Sequence, residues 1–201
     1  MNPLMLRDIS DIRAYERERE SFRNEIIALK KIRRISLGPV LTLVFENRST
    51  IRFQIQEMAR AEKLNSDQAI ETELNIYNPL MPQVNELSAT LFIELVSKSE
   101  MMEWLPKLVG IEESLFLIVE NNGERFEVQS VTEQAHKQNL TRDTITASVH
   151  YIKFFLPPEV AQLLREPNVT KVTMESHHAN YRFSTDLEKQ TIASLVQDWS
   201  N

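Results

Sequence analysis

The sequence predicts an α+β fold: a largely antiparallel sheet built from hairpins, with helices mainly on one face and an amphipathic helix near the N-terminal end. Three observations lead there. Short apolar runs are bounded by turn residues, most clearly Asn121-Asn122-Gly123, where Asn-Gly tolerates the positive φ of a tight hairpin. Helical stretches separate these runs without regular βαβ spacing, an order that belongs to antiparallel sheets. No glycine-rich strand-to-helix turn can be built from three glycines spread over 201 residues, which argues against a Rossmann or P-loop nucleotide site. The expected organisation is a helical arm at 1–34 and a single α+β domain at 35–201.

Ser10 to Arg34 contains no Gly or Pro and places Ile12, Tyr15, Arg19, Phe22, Ile26 and Leu29 on one helical stripe. Such a stripe usually docks on its own domain; the sharper reading is a dimerisation or partner-binding arm through residues 10–34. Ile35 to Phe45 and Thr50 to Gln56 read as a hairpin across Glu46-Asn47-Arg48-Ser49, since Ile51, Phe53 and Ile55 alternate with Arg52, Gln54 and Gln56. A helix continues from there through IQEMARAEKL. Another, capped by Asn65 or Ser66, ends before Asn78-Pro79, with Tyr77 as an anchor and Asn78 starting the turn.

Further along, Leu87 to Val96 is a strand and Ser99 to Val109 a helix shortened or kinked by Pro106. Leu115 to Glu120 and Glu124 to Val131 form the Asn-Gly hairpin, and His136 to Asp143 is a polar loop or helical turn. Thr146 to Leu156 is a long strand stopped by Pro157-Pro158, followed by a helix from Glu159 to Arg165. Val169 to Ser176 and Tyr181 to Ser184 pair around His177-His178-Ala179-Asn180, and Asp186 to Trp199 closes the chain as a helix.

Composition bounds the chemistry. With 42% apolar and 26% charged residues the chain is that of a globular domain, and its longest uncharged apolar run, Ile35 to Phe45, is too short to span a bilayer. Acidic residues in MNPLMLRDISD arrive too early for a signal peptide, so a cytoplasmic location is expected. The absence of cysteine excludes disulfides, thiolate nucleophiles and any cysteine-ligated cofactor within this chain. A net charge of −6 argues against broad nucleic-acid binding, although residues 1–34 carry nine Lys/Arg against six Asp/Glu.

No nucleophile elbow or triad spacing is present, so the sequence itself assigns no reaction. Two constellations remain. Arg52, Gln54, Gln56, Glu57 and Arg60 cluster at the expected strand-to-helix junction, where amides and a guanidinium offer fixed donors to an anionic or amide-bearing ligand. The plainer reading is a solvated face with Glu57 and Arg60 paired. His150, His177, Glu94 and Glu175 would form a metal site for iron, manganese or zinc if their strand faces coincided; otherwise they are isolated sheet residues.

Five blocks, R-R-I-S-L-G-P at 33–39, T-L-V-F-E-N at 42–47, Q-I-Q-E-M at 54–58, E-L-N-I-Y-N-P-L-M-P at 73–82 and S-V-H-Y-I-K-F at 148–154, resemble an uncharacterised bacterial family catalogued as domain of unknown function 3501. The resemblance spans nearly the whole chain and brings no established reaction. It implies a context beside rubrerythrin-type peroxide-reducing proteins and iron–sulfur oxidoreductases related to heterodisulfide reductase. On that footing the expected role is a non-enzymatic accessory protein that binds a redox partner under oxidative stress. A metal- or small-ligand-binding domain, or a metal-dependent enzyme built on the His/Glu set, is the alternative.

Overall fold

In the computed structural model, residues 2–133, 144–166 and 171–200 are described, and they form six α-helices and one antiparallel sheet of eight strands. The elements run α1 (Ile12–Arg33), β1 (Arg34–Leu37), β2 (Leu41–Glu46), α2 (Arg48–Ala61), α3 (Asp67–Tyr77), β3 (Glu86–Ile93) and α4 (Lys98–Lys107). They continue as β4 (Leu115–Asn121), β5 (Glu124–Thr132), β6 (Val149–Phe155), α5 (Pro158–Arg165), β7 (Lys171–His178), β8 (Tyr181–Asp186) and α6 (Lys189–Gln197). The strand order is β1-β2-β3-β6-β5-β4-β7-β8, every neighbouring pair antiparallel.

Alternation along the strands sends residues such as Leu43, Leu91, Ile152, Leu117 and Met174 to one side, and side chains from all eight strands meet in a single apolar core. A flat sheet cannot bring its first and last strands into one cluster, so this sheet curls until β1 and β8 approach as an incompletely closed barrel. Side chains bridge the seam. The Tyr181 hydroxyl donates to the Leu37 carbonyl at 2.6 Å and accepts from the Val40 amide, and the Thr185 hydroxyl donates to the Ser36 carbonyl at 2.8 Å. The opposite face of β2, β3 and β6 is covered differently: Leu4, Ile51, Ile55, Leu74, Leu80 and Met81 form a second cluster that also engages Tyr151.

The structure corrects the first hairpin. Ile35 to Phe45 is not one strand: it turns at Gly38-Pro39-Val40, and β1 pairs with β2. Thr50 to Gln56 is not its partner but the first half of α2. Asn47, expected in a turn, caps that helix by accepting from the amides of Ser49 and Thr50, while the Thr50 hydroxyl accepts from the Asn47 amide. Ile51, Ile55 and Ala59 repeat every four residues and are buried, so the helical period prevailed over the alternation that Ile51, Phe53 and Ile55 also satisfy.

Other elements follow the expected order. Ser66 caps α3, and Asn122 and Gly123 take the left-handed conformations of the β4–β5 hairpin. β6 begins at Val149, three residues later than its apolar run. The expected loop at His136 to Asp143 and the first residues of the Val169 to Ser176 strand lie outside the described residues. The α1 stripe packs on α2, β2 and α6: Tyr15, Ile26 and Arg33 are buried, and Phe22 meets Phe53 edge to face at 5.6 Å. No helix among the described residues is long and apolar enough to cross a membrane.

Gly38 is fixed by two independent constraints. Its φ is +69°, and an added Cβ would lie 2.5 Å from both the Phe183 ring and the Tyr181 hydroxyl. Gly38→Ala is expected to destabilise the protein by about 2–4 kcal/mol in urea unfolding, because strain and a steric clash at the seam add. A change below about 0.5 kcal/mol would show that the seam is soft.

Candidate functional site

Residues 4–10 cross the outer side of α2 and α3, held largely by side chains that bind main chain. Asn78, in the turn that follows α3, accepts from the Leu4 amide and donates to the Leu4 carbonyl, both at 3.0 Å. Gln56 treats Ser10 the same way, at 2.8 and 3.0 Å. Arg52 Nε donates to the Asp8 carbonyl at 2.8 Å. A primary amide carries both a donor and an acceptor, so it can satisfy the two polar groups of one residue as a neighbouring strand would. One side chain adds an apolar anchor: Leu4, 3% exposed, enters the cluster of Ile51, Ile55, Leu74, Leu80 and Met81.

The segment does not fill its groove. On one side a cavity of about 590 Å³ is lined by Met5, Arg7, Asp8, Arg48 and Asp198 among others, and on the other a cavity of about 460 Å³ by Met5, Arg7, Glu71 and Asn75. Asp8 pairs with Arg48 at 2.9 Å, and its carboxyl is held below the usual range by the Met5 amide and Arg48.

Beyond Ser10, α1 is clamped to α2 by charge. Glu57 accepts from Arg19 Nε and NH2, each at 2.8 Å, and from the Tyr15 hydroxyl at 2.7 Å. The Arg19 hydrogen bonds, with a further contribution from Tyr15, hold the Glu57 carboxyl at about 2, while burial raises the Tyr15 phenol. Arg60 pairs with Glu16 at 2.5 Å. Where α1 ends, the fully buried Arg33 guanidinium is paired with Asp198, and Asn47 Nδ2 donates to the other Asp198 oxygen at 3.2 Å. Burial raises the Asp198 carboxyl, opposed by Arg33, and lowers the Arg33 guanidinium.

Arg52, Gln54, Gln56, Glu57 and Arg60 are thus brought together, on a helix rather than a strand. Four of them hold residues 8–19; Gln54 faces α3 instead, where burial raises the Tyr77 phenol and Gln54 opposes that rise. The metal set does not converge. His150 lies opposite Leu91 on the core face, 1% exposed, with Nε2 at 2.9 Å from both the Thr146 hydroxyl and the Ala147 carbonyl; burial lowers its pKa against the raising influence of Glu112. Glu94 binds Thr42 and Arg34 on the other face. Glu175 and His177 meet each other at 2.7 Å beside Arg125, again on the outer face, where His177 stacks on Phe116 at 4.4 Å. Their registers put His150 and the other three on opposite faces. Among the described residues no group of three or more His, Asp or Glu is placed to hold a metal ion.

Sequence reasoning missed Asn78, Arg33 and Asp198. Asn78 had a signal, an Asn-Pro helix stop, but that reading does not specify a distant main-chain partner. Glu57 supplies a direct test. Because its folded pKa is depressed from 4.5 to about 2, its contribution is complete above the unfolded value and is lost as pH falls through that window. Glu57→Gln is expected to cost about 1–2 kcal/mol at pH 7 in chemical denaturation, and the deficit relative to wild type should shrink below about pH 4.5. A deficit that persists unchanged to about pH 2 would mean that the carboxylate charge is not what holds α1.

A family model described as "Protein of unknown function (DUF3501)" matches residues 3–199. No curated protein matches the chain. A crystal structure described as a novel protein of unknown function from Burkholderia pseudomallei K96243 is similar, with 31% sequence identity, a TM-score of 0.88, and coverage of 98% of this chain and 100% of that one.

Proposed function

This chain belongs to the DUF3501 family of proteins of unknown function, and we propose that it acts as a partner-binding accessory protein of the cytosol and carries out no reaction of its own. The observation that supports this reading is the use of side chains to bind main chain: Asn78 completes both polar groups of Leu4, and Gln56 both of Ser10. Groups so arranged recognise a peptide by its backbone, with an apolar pocket supplying selectivity, as in other modes of peptide capture.

The family resemblance supplies the class of partner: a rubrerythrin-type peroxide-reducing protein or an iron–sulfur oxidoreductase. Such a division of labour suits a chain without cysteine, since any cysteine-ligated cluster then resides in the partner. Affinity capture from an extract of the chain's own host, under anaerobic conditions and with an inert protein of similar charge as control, tests the reading. Enrichment of a rubrerythrin or iron–sulfur protein over the control is the expected result. Recovery of neither would count against it.

A further inference from the structure

We propose that the groove across α2 and α3 is a peptide site whose own residues 3–10 are a resident, displaceable occupant, and that a partner enters it with a short segment that carries a leucine-type anchor and turns as Leu6–Asp8 does. This deepens the partner-binding reading and rests on it. The ligand chemistry is displayed by the occupant itself. Five hydrogen bonds from Asn78, Gln56 and Arg52 go to main-chain atoms, so they would be offered to any segment that reproduces the resident's path, including its 3₁₀ turn at Leu6–Asp8. Side-chain discrimination is concentrated in the pocket that takes Leu4.

Two features separate this arrangement from an ordinary docked segment. The space flanking Met5 and Arg7 on both sides, about 590 and 460 Å³, leaves room for larger side chains than the resident ones. Met5 is also 45% exposed, so its side chain is uncommitted, whereas Leu4, Leu6 and Ile9 pack on the cluster and Asp8 pairs with Arg48. The resident competes from an effective concentration on the order of millimolar, which keeps the groove closed to weak or dilute peptides. Opening therefore requires a segment that anchors better than Leu4 or fills the flanking space.

The probe is a fluorescein-labelled peptide with the sequence of residues 2–11, NPLMLRDISD, titrated with the full chain and followed by polarisation. Leu4→Ala in the chain weakens the resident but leaves the groove intact, and should raise the apparent affinity for the probe at least about tenfold over wild type. Adding Asn78→Ala to that chain should abolish the gain, and a probe carrying Leu4→Asp should not bind. Should Leu4→Ala fail to fold, Leu4→Val replaces it with a smaller expected gain. No binding by either variant, or binding unaffected by Asn78→Ala, overturns the proposal. The two readings fail separately. Probe binding without capture of a redox protein removes the partner class and keeps the groove; capture without probe binding moves the partner to another surface.

Discussion

The buried ion pair between Arg33 and Asp198 is the contact on which the arrangement of layers depends. Arg33 ends α1, Asp198 follows α6, and Asn47, which joins Asp198, is at once the exit from β2 and the cap of α2. Three chain segments separated by up to 165 positions therefore share one carboxylate. A guanidinium with no exposed surface is costly unless paired, and removing one partner of such a pair costs about 3–5 kcal/mol because the other is left charged and dry. The pair does not need to stabilise the fold relative to an apolar substitute. Its consequence is positional, since it fixes where α2 starts and hence where Arg52 and Gln56 point.

Around that junction the fold divides into a frame and a strap. The frame is the curled sheet, with one core filled from all eight strands, its seam bridged by Tyr181 and Thr185, and its C-terminal end tied to β3 by the Trp199 indole donating to the Glu86 carbonyl at 2.8 Å. The strap is residues 4–10, anchored by Leu4 with Leu6 and Ile9 packed beside it, and by polar contacts from Asn78, Gln56, Arg52 and Arg48. Hydrogen bonds of this kind are worth about 1 kcal/mol each and are readily exchanged for equivalent bonds to another peptide. Burial in the frame is far more extensive, so the two parts differ in stability for reasons visible in their contacts.

Much of the frame was legible in the sequence because its signals are local. Asn122-Gly123, Ser66 and Pro157-Pro158 act within a few residues, and alternation in Thr146 to Leu156 needs no distant partner to be read. Thr50 to Gln56 misled because it satisfies two periods, and only the capping chemistry of Asn47 with Ser49 and Thr50 separates them. The groove was half legible. Arg52, Gln54 and Gln56 stood out as groups suited to an anionic or amide-bearing ligand, or else as a solvated face; in the structure Arg52 donates to the Asp8 carbonyl and Gln56 binds both polar groups of Ser10, all within this chain. Their partners, Asp8 and Ser10, lie 44 and 46 positions away, and no local pattern encodes that pairing. The same holds for the four candidate metal ligands, whose faces were fixed only by strand register.

Residue-resolved amide hydrogen exchange under native conditions tests the distinction between frame and strap most directly. The Leu4 and Ser10 amides, which donate to Asn78 and Gln56, should exchange through a local opening that is insensitive to low denaturant and at least about a hundredfold faster than the amides of Leu91 and Ile152 in β3 and β6. Exchange of Leu4 and Ser10 at the rate and denaturant dependence of those strand amides would contradict the account, because the segment would then leave its groove only when the whole protein unfolds.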